Sequence, residues 1–167
     1  MARATARTSG WWVFRPPDSA GAIYGTIAAM AVIAGAARSP SHGRVLALAV
    51  GTVFVFWLAH VYARALAHHL RGARWPDWPA VTAAMAEQRP MLEAPALLFL
   101  LLAFGGIGLL DAHRTVRLAL WAGVAQLVAW GVAYARRQAW SWPASVTAGV
   151  VNGMLGLVIV ALEVLIH

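Results

Sequence analysis

Apolar residues along this chain run in five long blocks, at 20–37, 45–67, 91–110, 116–135 and 144–166. Each is bounded by arginine or by a proline and tryptophan cluster. A helix needs roughly 20 apolar residues to cross the hydrocarbon core of a bilayer. With no water there to satisfy the backbone, unbroken apolar blocks of this length read as helices. The pattern predicts an all-α, polytopic transmembrane bundle of five spans, forming a single membrane domain over 1–167. Polar positions gather between the blocks, and the connections are short except after Leu70. There Trp75-Pro76-Asp77-Trp78-Pro79 reads as a turn, with Asp77 as N-cap of a short helix over 78–88. Trp78, Val81 and Met85 would let that helix lie on the bilayer surface; an ordinary capped connector is the alternative. Pro90 is expected to break it before the third block, and Trp140-Ser141-Trp142-Pro143 introduces the last.

Composition agrees with the pattern. Hydrophobic residues make up 61% of the chain and charged ones 11%, outside the range of soluble domains. The net charge of +7 comes from arginine, with no lysine present. These arginines punctuate apolar blocks instead of lining a face, so nucleic-acid binding is not expected. Absence of cysteine excludes disulfides, thiolate metal sites and cysteine nucleophiles. Arg3, Arg7 and Arg15 precede the first block, and Ala34-Gly35-Ala36-Ala37 resembles a signal-peptide cleavage site. The block is nevertheless longer than a usual signal core and contains Tyr24, Gly25 and Thr26, which favours a retained span over a cleaved one.

Arginine bias sets orientation. With the N-terminus inside, the cytoplasmic set is Arg3, Arg7, Arg15, Arg64, Arg71, Arg74, Arg89, Arg136 and Arg137, against Arg38, Arg44, Arg114 and Arg117 outside. Trp11, Trp12, Trp75, Trp78, Trp140 and Trp142 fall at the same inner boundary. The expected topology is N-terminus inside and C-terminus outside, in the cell (plasma) membrane.

Helices in lipid associate through close backbone approach and interhelical hydrogen bonds. Gly21, Gly25 and Ala29 recur every four residues in the first block, as do Ser145, Gly149 and Gly153 in the last. Both stripes read as internal packing faces, with dimerisation the less favoured use. Gly105, Gly106 and Gly108 read as a helix crossing near the outer end of the third.

Ionisable and polar groups at membrane depth are costly, so each is a functional candidate by default. Trp57, His60, Arg64 and His68 share one face of the second span. Counting depth at about 1.5 Å per residue brings Tyr24, Thr26, His60, Glu93 and Asn152 to one level, with Arg64 beneath them. A Glu93–Arg64 ion pair, and His60 bonded to Tyr24 or Asn152, are the expected contacts. Ser145, Asn152 and Glu163 form a second polar stripe, Glu163 being neutralised by Arg38, Arg44 or Arg114. Gln126, midway along the fourth span, completes the set. A single neutral imidazole is not a metal site, and His68 and His69 point apart on a helix. No metal or cofactor is expected, and no HExxH, GxSxG, Walker loop or EF-hand occurs.

Ile23-Tyr24-Gly25-Thr26-Ile27, Phe56-Trp57-Leu58-Ala59-His60-Val61-Tyr62-Ala63 and Asn152-Gly153-Met154-Leu155-Gly156-Leu157 resemble stretches of a family of small, uncharacterised multi-pass integral membrane proteins of high-GC bacteria. That resemblance covers most of the chain and implies a multi-pass architecture without a known activity. Trp57-Leu58-Ala59-His60 is also similar to a short piece of the bacterial and lysosomal potassium channels. Ser19 to Thr26 lack the arginine and Phe-Ser-Asp run of that family, so its activity is not carried over.

Three functions follow as expectations. The first is permeation or proton-linked transport of a small ion or solute, with His60 as protonatable switch and Tyr24, Arg64, Glu93 and Asn152 around it; this would need a homo-oligomer. The second is a non-catalytic membrane subunit or scaffold. The third, placed last because catalytic motifs are absent, is a small membrane-embedded enzyme acting on lipid through Glu93.

Overall fold

The computed structural model describes residues 19–39, 41–70 and 78–166, all of whose regular elements are helices. They are α1 (Ser19–Gly35), α2 (His42–Leu70), α3 (Trp78–Glu87), α4 (Arg89–Glu93), α5 (Ala96–Gly106), α6 (Ala112–Arg137) and α7 (Trp142–Ile166). Four helical stretches are long and apolar enough to cross a membrane: His42–Ala67, Arg89–Gly106, Arg114–Arg137 and Trp142–Leu165. Ala20–Gly35 is apolar but shorter. Residues 1–18, including Arg3, Arg7, Arg15, Trp11 and Trp12, lie outside the described residues, as do Trp75 and Asp77.

The third apolar block differs most from expectation. Its helix begins at Arg89 and takes Pro90 into the first turn, where the missing N–H would have had no ladder partner anyway. The chain does break just before Pro90, as expected: α3 ends at Glu87 and Pro90 sits in the first turn of α4. A second, unexpected break falls at Ala94 and Pro95, between α4 and α5. Pro95 cannot donate to the carbonyl four residues back, that of Met91. The segment also ends earlier than 110: α5 stops at Gly106, and Gly108 takes a left-handed φ of 80° in the turn to α6, a conformation glycine adopts without a Cβ penalty.

Packing is organised around α1, which contacts α2, α4, α6 and α7. α5 lies between α2 and α6, and α6 makes the most extensive interface of the bundle with α7. The main core cluster between them is apolar. Ala29, Met30 and Ile33 of α1 meet Val45, Ala49 and Val53 of α2, Leu98 and Leu102 of α5, and Leu120 and Leu127 of α6. A smaller cluster joins Trp57 and Val61 of α2 to Ala84 of α3 and Met91 of α4. Met85 packs on this cluster too, so one side of α3 is committed to the protein while Trp78 stays exposed.

Small residues set the closest approaches. A methyl group built on Gly25 would land on the carbonyl oxygen of Met91, the group that Pro95 leaves without its ladder donor. The α1 stripe therefore seats the kinked segment. On α7, Gly149 lies against Val128 and Val132, Gly153 against Val128, and Gly156 against Leu127 and Val124. That stripe is the α6-facing surface. Gly123 of α6 accommodates Met30 of α1, and Gly105 of α5 accommodates Thr115 and His42. All of these are contacts within one copy of the chain.

Candidate functional site

A single habit governs the polar side chains of the long helices. Thr26 donates to the Ala22 carbonyl at 2.9 Å, Thr115 to Asp111 at 2.9 Å, Ser145 to Ser141 at 3.0 Å and Thr147 to Pro143 at 3.0 Å. His60 Nδ1 lies 2.8 Å from the Phe56 carbonyl and donates to it as the Nδ1–H tautomer. In every case the acceptor is four residues back along the chain, within the same helix or, for Thr115 and Ser145, just before its first residue. Bonds of this kind satisfy a hydroxyl or imidazole without any neighbouring helix. They explain how Thr26 and Ser145 can be fully buried in an apolar setting.

Contacts between helices are correspondingly few. The Tyr24 and His60 rings lie 5.9 Å apart, tilted by 42°, at the seam of α1 and α2. Tyr24 is 57% exposed, so the seam opens outward from the bundle. With Nδ1 committed to Phe56, Nε2 is the ring nitrogen left to accept a proton.

The expected Arg64–Glu93 pair is replaced by two others. Arg64 reaches Glu87 of α3 at 3.4 Å, and Glu93 is held by Arg89, one turn back, at 3.1 Å. Folding of α3 onto α2 brings Glu87 within reach of Arg64, and the i,i+4 spacing suits Arg89 and Glu93. Both pairs are about half exposed or more. Asn152 lies on the other flank of α1, its amide over Gly131 at the α6–α7 interface. Of the five candidates placed at one level and Arg64 beneath them, Tyr24 and His60 touch through their side chains; Thr26 bonds Ala22, Arg64 reaches Glu87, Glu93 is held by Arg89 and Asn152 lies over Gly131.

Among the secondary candidates, Trp57 is buried in the small cluster and stacks on Phe54 at 5.6 Å. Gln126 makes the bundle's long-range polar tie: its Nε2 donates to the carbonyl of Ala94 at the α4–α5 break. Pro95 leaves the Met91 carbonyl without its donor and Gly25 of α1 closes on it, while Gln126 of α6 bonds the Ala94 carbonyl at the same break. Glu163 is partly buried near the end of α7, and Arg114, one of its expected neutralisers, pairs with Asp111 at 3.0 Å. The side chains of His68 and His69 lie outside the described set.

His42 escaped the sequence reading. Its Nε2 is buried without a hydrogen-bond partner where α2 meets Gly105, Gly106 and Thr115. Nothing in the run Ser41-His42-Gly43 sets it apart from a helix start. The Nε1 atoms of Trp57 and Trp130 are buried and unpartnered in the same way. Along the outer surface of α2, Ala47, Gly51, Thr52, Val55 and Ala59 line an open apolar depression of about 430 Å³. Among the described residues no group of three His, Asp or Glu side chains is placed to hold a metal ion.

Comparison with known proteins finds no matching family model, no matching curated protein and no matching solved structure.

Proposed function

We propose that the chain is a multi-pass protein of the cell membrane, five spans with the N-terminus inside and the C-terminus outside, serving as a compact non-catalytic membrane subunit. The observation that carries this reading is the way its polar groups are spent. Thr26, His60, Thr115 and Ser145 each bond a carbonyl four residues back, in their own helix or just before it, and the main core cluster between α1, α2, α5 and α6 is made of apolar side chains. A bundle built this way is optimised to hold helices together. Exposed Tyr134, Trp140 and Trp142 near the Arg136 end fit an interfacial aromatic belt. Arginine bias supplies the orientation. α1, at 17 residues or about 25 Å, crosses with slight thinning of the bilayer or with help from the residues before it.

A second reading keeps proton-linked permeation of a small ion or solute in an oligomer. It is favoured by the Tyr24–His60 contact, which leaves the imidazole Nε2 at an open seam. Reconstituted vesicles separate the two. With a pH-sensitive dye inside, wild type and His60→Ala should hold an imposed proton gradient equally, as empty vesicles do, while chemical cross-linking in native membranes recovers a defined complex. A gradient dissipated by wild type and preserved by His60→Ala would overturn the subunit reading in favour of permeation.

A further inference from the structure

We infer that the turn between α6 and α7 is a binding site for the phosphate of an anionic lipid headgroup, built on Arg136 with Arg137 beside it. This rests on the chain's being membrane-spanning and adds a ligand to that reading. The turn is held in one shape. Trp140 N–H bonds to the Ala135 carbonyl and Ala139 N–H to that of Arg136, both at 3.1 Å, closing a Schellman cap on α6. Its left-handed position is filled by Ala139 at φ 57°, not by glycine, a conformation that L-residues rarely adopt.

That shape fixes a guanidinium. Arg136 Nη1 donates to the Trp140 carbonyl at 2.9 Å, and Arg136 Cζ stands 4.9 Å from the centre of the Trp142 ring. The stack and the hydrogen bond hold a side chain that would otherwise rotate freely at the surface. Arginine carries five N–H donors in a planar fork, and one is used on Trp140. The others remain for a planar, two-pronged grip on a phosphate.

Charge points the same way. At this end of the bundle Arg64 is answered by Glu87 and Arg89 by Glu93. Among the described residues no carboxylate pairs with Arg136 or Arg137, and both are exposed. Trp140 and Trp142 are 47% and 63% exposed beside them, as rings at headgroup level are. With the N-terminus inside, this turn faces the leaflet whose anionic lipids attract basic segments.

The test is native mass spectrometry of the purified full chain in detergent, titrated with phosphatidylglycerol or with phosphatidylcholine of the same acyl chains. Wild type should retain phosphatidylglycerol preferentially, and R136Q/R137Q should weaken that binding by roughly tenfold or more. R136K keeps the charge but loses the fork and much of the stack, and should fall between the two. R44Q/R117Q removes equal charge at the opposite end and should leave binding unchanged. Equal retention of the two lipids by wild type would overturn the site, as would equal losses in R136Q/R137Q and R44Q/R117Q. Complete displacement of the lipid by millimolar inorganic phosphate would overturn the assignment to a headgroup. Carbonate extraction of the expressing membranes distinguishes the deeper failure. A chain released by carbonate sinks the membrane reading itself, whereas one that stays in the pellet yet ignores headgroup charge sinks only the site.

Discussion

Gly25→Ala is the sharpest perturbation the fold offers, because the obstacle it meets is backbone. The new methyl group would occupy the position of the Met91 carbonyl oxygen, with the Met91 carbonyl carbon and Cα close behind. No rotamer change relieves that overlap, so α1 and α4 must separate, by about an ångström. A gap of about 1 Å forfeits a quarter to a half of the dispersion energy of the atoms it parts, and α1 is buried at Ala22, Thr26, Ala29 and Met30. Overpacking of this kind costs about 1–3 kcal/mol, offset in part by the roughly 1 kcal/mol by which alanine outdoes glycine in a helix. Gly51→Ala is the matched control: it lies mid-helix in α2 with nothing within 4 Å of the added methyl. It should be neutral or slightly stabilising. The two variants should therefore differ by about 2 kcal/mol. Unfolding of the full chain in mixed micelles, driven by sodium dodecyl sulfate and followed by far-UV circular dichroism, reads the difference. If Gly25→Ala unfolds at or above the midpoint of Gly51→Ala, the close seating of α4 on α1 is wrong.

Gln126→Leu removes the donor to the Ala94 carbonyl at the proline break. It should cost about 0.6 kcal/mol, the mean for polar ties between helices in membranes, and at most about 1.7, in the same unfolding assay; an unchanged midpoint would show that the carbonyl needs no partner there. Arg64 and Glu87 are each about half exposed, so a double-mutant cycle on R64A and E87A should give a coupling below about 1 kcal/mol. That coupling should shrink as salt is raised from 0.05 to about 0.5 M, by the shortening of the Debye length; a large salt-independent coupling would contradict the exposed geometry. Ala139→Gly relieves the left-handed alanine in the α6–α7 turn and should raise stability by up to about 1 kcal/mol; a loss would mean the turn is not strained there.

What could be read from the chain followed from periodicity and length. The apolar blocks are nearly continuous, so the helices emerged with their ends displaced and the third alone broken, at Ala94 and Pro95. The Gly21/Gly25/Ala29 and Ser145/Gly149/Gly153 stripes survive folding as packing faces because four-residue spacing fixes a direction around the helix as well as a depth. The polar cluster did not, because counting residues gives depth and leaves direction around the neighbouring helices open. Glu93 and Asn152 count to the same depth as His60 along the sequence yet face Arg89 and Gly131. Thr26 and His60 found acceptors four residues back, an option open to them on any helix and invisible to a search for partners. Gln126 bonds a main-chain carbonyl at the α4–α5 break, so no side chain could have advertised the match. Glu87 displaced Glu93 as the partner of Arg64 because α3 folds back on α2, which the run of residues after Leu70 does not dictate.

The broken third segment bears on how the molecule is made. Its two pieces, of 5 and 11 residues, are each too short to cross a bilayer alone, and Arg89–Gly106 is the least apolar of the four stretches long and apolar enough to cross one. One loose carbonyl is covered by α1, synthesised before it, and the other by α6, synthesised after it. During translation this stretch would therefore leave the insertion machinery incompletely sheltered and settle into lipid only once α6 had followed. A ribosome-stalled chain ending before Gln126 should consequently hold its third segment less firmly in the membrane than the finished protein does.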